Sequence, residues 1–207
     1  MTIEHVDIGA GEIHEPKGIT TATVNEVYVA DGASSGAWKN IYLQGWEDQQ
    51  DTTTTGTPIS VPGTSTYVYL TNDGLGGFTE ESYILPGRTS AWNTTSNQFE
   101  WNTSGMVLGD TCVIRVDLYV TTSAANQNID VDLEMAIGSG SSYDLEFIHM
   151  QYKTAGVKHL VMSLPFYMGN TVTLNNPAKL KIKSDASATV QVNGWYLKTL
   201  PRNPVFL

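Results

Sequence analysis

Between Thr111 and Ile137 the side chains alternate twice between apolar and polar with a period of two. In the first run Cys112, Ile114, Val116, Leu118 and Val120 interleave with Thr111, Val113, Arg115, Asp117 and Tyr119. In the second, Ile129, Val131, Leu133, Met135 and Ile137 interleave with Asn128, Asp130, Asp132, Glu134 and Ala136. Successive side chains of an extended chain point to opposite faces, so each run predicts a β-strand with one apolar and one wet side. Thr121 to Gln127 is small and polar and reads as an antiparallel connection between them. A sheet with an apolar face must bury it against another layer, and the rest of the chain has to supply that layer.

Further strands are expected at Ile59 to Val61, Tyr67 to Leu70, Gln98 to Trp101, Tyr143 to Tyr152, Lys158 to Met168, Thr171 to Leu174, Ala178 to Lys183 and Thr189 to Leu200. The apolar phase of Tyr143 to Tyr152 switches between Phe147 and Ile148, which predicts a bulge. Pro165 lies inside Lys158 to Met168, so that strand should sit at a sheet edge or break there. Turn signals such as Asn72-Asp73-Gly74 and Pro86-Gly87 separate the strands. Closely spaced strands without a sustained helical period predict an all-β fold, a jelly-roll β-sandwich, and argue against a parallel α/β arrangement. At 207 residues the chain is long enough for one self-sufficient core.

The first 60 residues have a different texture. Ile3, Val6, Ile8, Ile13 and Ile19 are scattered without rhythm among Gly9, Gly11, Pro16 and Gly18, as in an extended arm that gains its burial from a partner or from its own domain. Glu26 to Ala30 and Trp38 to Trp46 form a hairpin-like unit, and the Thr-rich tract Asp48 to Thr57 reads as the boundary. The expected division is an arm over 1–57 and a jelly roll over 58–207. The formal net charge is −10, and all of the excess lies in residues 1 to 100, which hold three basic residues against thirteen acidic ones. Such a chain lacks the basic footprint of direct nucleic-acid binding. No stretch approaches the length needed to span a bilayer, and the opening Met-Thr-Ile-Glu-His has no basic region followed by an apolar run, so neither a membrane nor a secretory route is expected.

Few residues are arranged for chemistry. Gly32-Ala33-Ser34-Ser35-Gly36 matches G-x-S-x-G, but a nucleophile elbow needs a helix directly after it, and Ala37-Trp38-Lys39-Asn40 continues as a strand. His5, His14, His149 and His159 show no metal-ligand spacing, and Cys112 is the only cysteine, so no metal, cofactor or catalytic residue is expected. Asp130, Asp132 and Glu134 form an acidic row, and Lys179, Lys181 and Lys183 form a matching basic row. The rows could pair within a sheet or across a subunit contact, stay solvated separately, or leave the carboxylates to a hard cation. Trp92, Trp101 and Trp195 are expected in the core, while Trp38 and Trp46 remain candidates for contact surfaces; the apolar tail Pro204-Val205-Phe206-Leu207 should dock.

Ile13-His14-Glu15-Pro16-Lys17-Gly18-Ile19, Val27-Tyr28-Val29-Ala30-Asp31-Gly32 and Gly36-Ala37-Trp38 together resemble the amino-terminal segments of tailed-bacteriophage virion proteins. Ser96-Asn97-Gln98-Phe99, Gly109 to Leu118, Ala124-Ala125-Asn126 and Val192-Asn193-Gly194-Trp195-Tyr196 resemble the jelly-roll domain of phage head-fibre and capsid-decoration proteins, which is similar to the trimeric tumour-necrosis-factor-like jelly roll. The resemblance implies a homotrimeric capsid decoration (cement) protein, not an enzyme, made in a bacterial host cytoplasm and placed on the capsid exterior. Its partner would be the major capsid protein, contacted through the arm residues Ile3, Val6, Ile8, Ile13, His14, Pro16, Ile19 and Trp38. The alternative it leaves is a tail or head fibre protein that binds a host surface receptor or glycan.

Overall fold

A computed structural model describes residues 23, 26–30 and 36–206. In chain order the elements are β1 (Glu26–Ala30), β2 (Gly36–Tyr42), β3 (Gly45–Gln50), α1 (Thr53–Gly56), β4 (Ile59–Val61), β5 (Val68–Tyr69), β6 (Trp92–Asn93) and β7 (Gln98–Phe99). They continue with β8 (Thr111–Thr122), β9 (Gln127–Met135), β10 (Tyr143–Tyr152), β11 (Gly156–Tyr167), α2 (Thr171–Asn175), β12 (Lys179–Ser184), β13 (Ala188–Leu200) and β14 (Val205–Phe206).

The described residues divide into two units, those up to 42 together with 204–206, and residues 43–203. In the first, β1 and β2 pair antiparallel with Tyr28 opposite Trp38, their rings edge to face at 5.5 Å, and β14 joins the other side of β2 through Val205 and Phe206. The apolar tail thus docks as a strand. The second unit begins ahead of the Thr-rich tract: β3 pairs with β13, and β4 pairs with a further stretch of β13.

The second unit is an all-β sandwich. One sheet runs β11-β8-β13-β3 and the other β10-β9-β12-β5, and every pairing is antiparallel. Taken in sequence order as eight strands, the first sheet holds the sixth, third, eighth and first, and the second holds the fifth, fourth, seventh and second. That interleaving is the strand order of a jelly roll.

β8 and β9, expected as neighbours in one sheet, lie in opposite sheets. Their apolar rows, from Cys112 to Val120 and from Ile129 to Met135, are all buried in one cluster that also takes in Leu180, Ile182, Val190, Val192 and Leu197. Period-two alternation states which face is apolar and not which strand lies alongside, so it is met equally by two strands facing each other across a core. β9 also ends earlier than expected, at Met135. Ala136 turns to a φ of 58°, and the Ile137 N–H then donates to the Pro177 carbonyl at 2.9 Å.

The other strand signals translate directly. The β10–β9 register slips between Glu146 and Ile148, which places a bulge at Phe147. β11, with Pro165, is the edge of its sheet. A second bulge in β13 lies between Val192 and Gly194, where a Cβ on Gly194 would stand 2.6 Å from the Gln49 carbonyl oxygen, so glycine is required. The expected strand Thr171 to Leu174 is instead the short helix α2, because the Asn170 side chain accepts the Thr173 N–H at 2.8 Å and caps it.

Cys112 is fully buried, with its sulfur 3.8 Å from that of Met106, and burial pushes its thiol pKa up to about 12. The thiol should resist a disulfide-exchange reagent at pH 8 in the native protein and react at once in guanidinium. Leu118→Ala removes a fully buried side chain from the centre of the sandwich and should cost about 2–5 kcal/mol in urea unfolding. The same truncation at exposed Leu75 should stay within about 0.5 kcal/mol.

Candidate assembly surfaces and polar clusters

The outward side of the β10-β9-β12-β5 sheet carries the two charged rows, and the fold brings them together. Lys179 lies opposite Glu134, Lys181 opposite Asp132 and Lys183 opposite Asp130. The ion contacts run diagonally as well as straight across. Lys181 Nζ reaches Asp144 at 2.8 Å and Glu134 at 3.3 Å, and Lys183 Nζ reaches Asp130 at 3.2 Å. His149 Nδ1 shares a hydrogen bond with Asp130, while Tyr67 donates to Asp132 and Tyr69 donates to Glu134. The ammonium groups of Lys181 and Lys183 lie over the Tyr67 ring, 4.2 and 4.5 Å from its centroid, and Lys179 lies over Tyr69 at 5.3 Å.

These tyrosines turn an outer face into a half-sealed one. Asp132 is only 5% exposed and Lys181 only 7%. Burial raises the pKa of Asp132 despite the Tyr67 hydroxyl. Burial works against the charge of Lys181 too, but its bonds to Asp144 and Glu134 outweigh that and hold its pKa above the ordinary lysine value. The carboxylates are thus engaged by ammonium and phenol donors, an arrangement suited to fixing strand register.

The outward side of the β11-β8-β13-β3 sheet is different. Its centre has a modest polar set: His159 bonds Asp117 at 2.8 Å and stacks on Tyr119, and the Arg115 guanidinium lies over Tyr196 at 5.8 Å. Trp46 stacks on Tyr83 at 4.6 Å and leans on Tyr196 at 5.6 Å. Along the edge strand β11 the outward row is Val157, His159, Val161, Ser163, Pro165 and Tyr167; Val161 is 54% exposed and Tyr167 68%. The row thus mixes uncovered Val157, Val161 and Tyr167 with His159 and Ser163, and Pro165 blunts part of the edge.

Beneath β3 lies a buried polar cluster, in a stretch whose sequence reads as a boundary tract. Glu47, Gln49 and Asp51 all point inward. Glu47 accepts hydrogen bonds from Ser90, Gln49 and the Ala91 N–H; Gln49 also donates to Glu81 at 2.6 Å. Asp51 accepts from the Thr54 N–H and hydroxyl and from the Asp73 N–H, and Asp73 accepts in turn from Thr52, Thr53 and Leu75. Burial raises the pKa of Glu47, whereas the donors around Asp73, led by Thr52, outweigh its burial and hold its pKa well below the usual carboxylate range. The alternation of Gly45, Glu47 and Gln49 with Trp46, Asp48 and Gln50 is a strand signal that finds β3 once inward positions are allowed to be polar.

Of the arm residues, Ile3, Val6, Ile8, Ile13, His14, Pro16 and Ile19 lie outside the described residues, as do His5 and the Asp31 to Ser35 part of the Gly/Ser turn. Trp38 lies in β2 against Tyr28. Trp92, Trp101 and Trp195 are in the core. His149 and His159 sit on opposite sheets, each beside one aspartate. Among the described residues, no group of three or more His, Cys, Asp or Glu is arranged to hold a metal ion.

No family model and no curated protein matches this chain. Among solved structures it is similar to the Eiger TNF of S. frugiperda, at 7% identity over 77% of this chain and 93% of that one, with a TM-score of 0.41. It is similar to the PRD1 vertex protein P5, at 11% identity over 88% and 84%, with a TM-score of 0.35. A chain of infectious bursal disease virus matches at 11% identity over 86% of this chain and 39% of its own, with a TM-score of 0.36. The neighbours thus include viral capsid proteins and a TNF-like domain, and a xylan-binding domain is matched too. Likeness at this level carries no conclusion about function, and the fold assignment rests on the strand order of the two sheets.

Lys181→Ala would leave Glu134 and Asp144 without their shared cation and should destabilise the protein by about 2–3 kcal/mol in urea unfolding. Lys179→Ala, which removes only a ring contact, should change stability by less than about 0.5 kcal/mol. For Glu47, a raised folded-state pKa means a stabilising contribution that is present below the unfolded value and lost as pH rises through the folded one. Unfolding measured at pH 4 and pH 7 should therefore show Glu47→Gln gaining on the wild type as pH rises. A difference independent of pH would contradict that assignment.

Proposed function

We propose that the chain is a virion structural protein, and specifically a homotrimeric capsid decoration protein. The observation that supports it best is the contrast between the two outward sheet faces. One is closed by ion pairs and tyrosines; the other leaves Val157, Val161 and Tyr167 uncovered on the edge strand β11 and carries the Trp46–Tyr83–Tyr196 stack at its opposite edge. In this reading the open face packs against two further copies, and residues near 1 to 57 reach the major capsid protein. The phage-like segments of the sequence support the virion setting. Three arms on one trimer act multivalently, so modest single contacts give durable attachment. The role is one of assembly and needs no cofactor, membrane or direct nucleic-acid contact.

Sedimentation equilibrium should give three chains per particle, and Val161→Glu should shift the protein to monomer without loss of β-sheet circular dichroism. A wild-type monomer would overturn the trimer. Deleting residues 1 to 20 should leave the trimer intact and abolish binding to capsids that lack the protein. Retained binding would remove the arm from the attachment reading.

A further inference from the structure

A chain that closes into a ring of three presents two different patches, one to each neighbour, so a trimer of this protein needs a projecting surface and a separate receiving one. The sandwich unit has a candidate for each. Among the described residues Phe78 is the most exposed large apolar side chain, at 80%. It stands on the loop between β5 and β6, yet the backbone around it is pinned. The Asp73 carboxylate accepts from Thr52, Thr53 and the Leu75 N–H, the Gly76 N–H donates to the Gln50 carbonyl at 2.9 Å, and the Thr79 hydroxyl accepts the Gln50 N–H at 3.0 Å. A Cβ on Gly76 would stand 2.4 Å from that of Gln50, so the loop approaches β3 this closely only through glycine. Fixing the backbone beneath an exposed ring removes in advance part of the ordering cost of binding.

The receiving surface is a groove of about 310 Å³ on the outward side of the β11-β8-β13-β3 sheet, lined by Pro58, Tyr119, Thr121, Val157, Thr189 and Gln191. Thr121 on β8 stands between Val157 on β11 and Thr189 on β13. Two of the walls are braced: Tyr119 is stacked on His159, and the Gln191 amide donates to the Thr55 hydroxyl at 3.3 Å. A proline ring, a tyrosine ring, a valine and the threonine methyl groups form an apolar trough that suits an aromatic side chain. The loop is tied to β3, at the edge of the sheet opposite β11, and the two patches share no residue.

Charge favours the same pairing. Between Tyr42 and Arg88 the chain has no lysine, arginine or histidine, and Asp73, Glu80 and Glu81 flank Phe78. Beside the groove, Lys153 lies in the turn that leads into β11 and Lys158 follows Val157. Among the described residues neither lysine has a carboxylate within ion-pair distance. The Lys158 ammonium donates to the Thr154 hydroxyl at 3.1 Å and lies over the Tyr152 ring. An acidic projection and a groove bordered by free ammonium groups attract each other and repel their own kind, which sets the order of the copies.

We infer that Phe78 of one copy seats in the Pro58–Tyr119–Val157–Thr189 groove of the next, with the acidic loop around it facing Lys153 and Lys158. The inference rests on the trimer reading above and names the contact that closes the ring.

Sedimentation equilibrium of the full chain should give three copies for the wild type and one for Phe78→Ser and for Thr189→Glu, both at exposed positions, with unchanged β-sheet circular dichroism. In a second measurement Gly77→Cys, where a Cβ meets nothing within 4 Å, is combined with Thr189→Cys and treated with a short bis-maleimide; Cys112 is fully buried and stays unreacted. Denaturing electrophoresis should show two and three linked chains for the double variant and single chains for each variant alone. A monomeric wild type overturns the trimer reading and this contact with it. A trimer that persists in Phe78→Ser, or a double variant that does not link, overturns this contact and leaves the trimer reading standing. Linking by either single variant, as a two-fold contact would give, overturns it too.

Discussion

The sandwich depends on apolar rows meeting across its core. β8 contributes Cys112 to Val120, β9 contributes Ile129 to Met135, and β12 and β13 complete the layer with Leu180, Ile182, Val190, Val192 and Leu197. Burial at roughly 25 cal/mol per Å² makes this the dominant favourable contribution, and it is sensitive to any one-residue slip, which would turn a whole row outward. The apolar rows therefore exclude a one-residue slip by themselves, and other contacts are needed only against a two-residue slip that would keep the rows inward. On one sheet the Lys181–Glu134 and Lys183–Asp130 contacts secure the register. On the other, the glycine-dependent bulge of β13 does, fitting Gly194 against Gln49.

With the core closed in this way, the two outward faces are free to differ. Tyr67 and Tyr69 lie over the lysines of one face and bond its carboxylates, so its charges are mostly satisfied within the chain. The face containing β11 keeps its valines and Tyr167 uncovered. That contrast is what the proposed association of copies through this face rests on. The acidic excess of the first half of the chain keeps the net charge far from zero, which favours solubility.

Much of this is legible from residue order, and the limits have physical reasons. Alternation locates β8 to β11 and their buried faces, Pro165 marks an edge, and the phase switch at Phe147 marks a bulge. Facing partners are not legible, because a period of two is blind to which sheet a strand joins; hence β8 and β9 lie across the core from each other. β3 escapes a hydrophobic pattern because its inward side chains are Glu47 and Gln49, whose burial is tolerable only through Ser90, Ala91 and Glu81, partners far along the chain. The lysine and carboxylate rows are visible as rows. Their sealing by Tyr69 in β5 and Tyr67 just before it needs the fold. The groove lined by Pro58, Tyr119, Val157 and Thr189 joins four separate segments and leaves no mark in local sequence.

In the proposed role this jelly roll is an assembly module on the outside of a virus head, with its β11-containing face turned toward copies of itself. Cryo-electron microscopy of the particle that carries the chain tests it most directly. Three copies are expected around a threefold axis on the shell exterior, with Val161 and Tyr167 buried between them and density from the first residues running onto the capsid. Density for the chain on the tail, or on the shell with that face open to solvent, would contradict it.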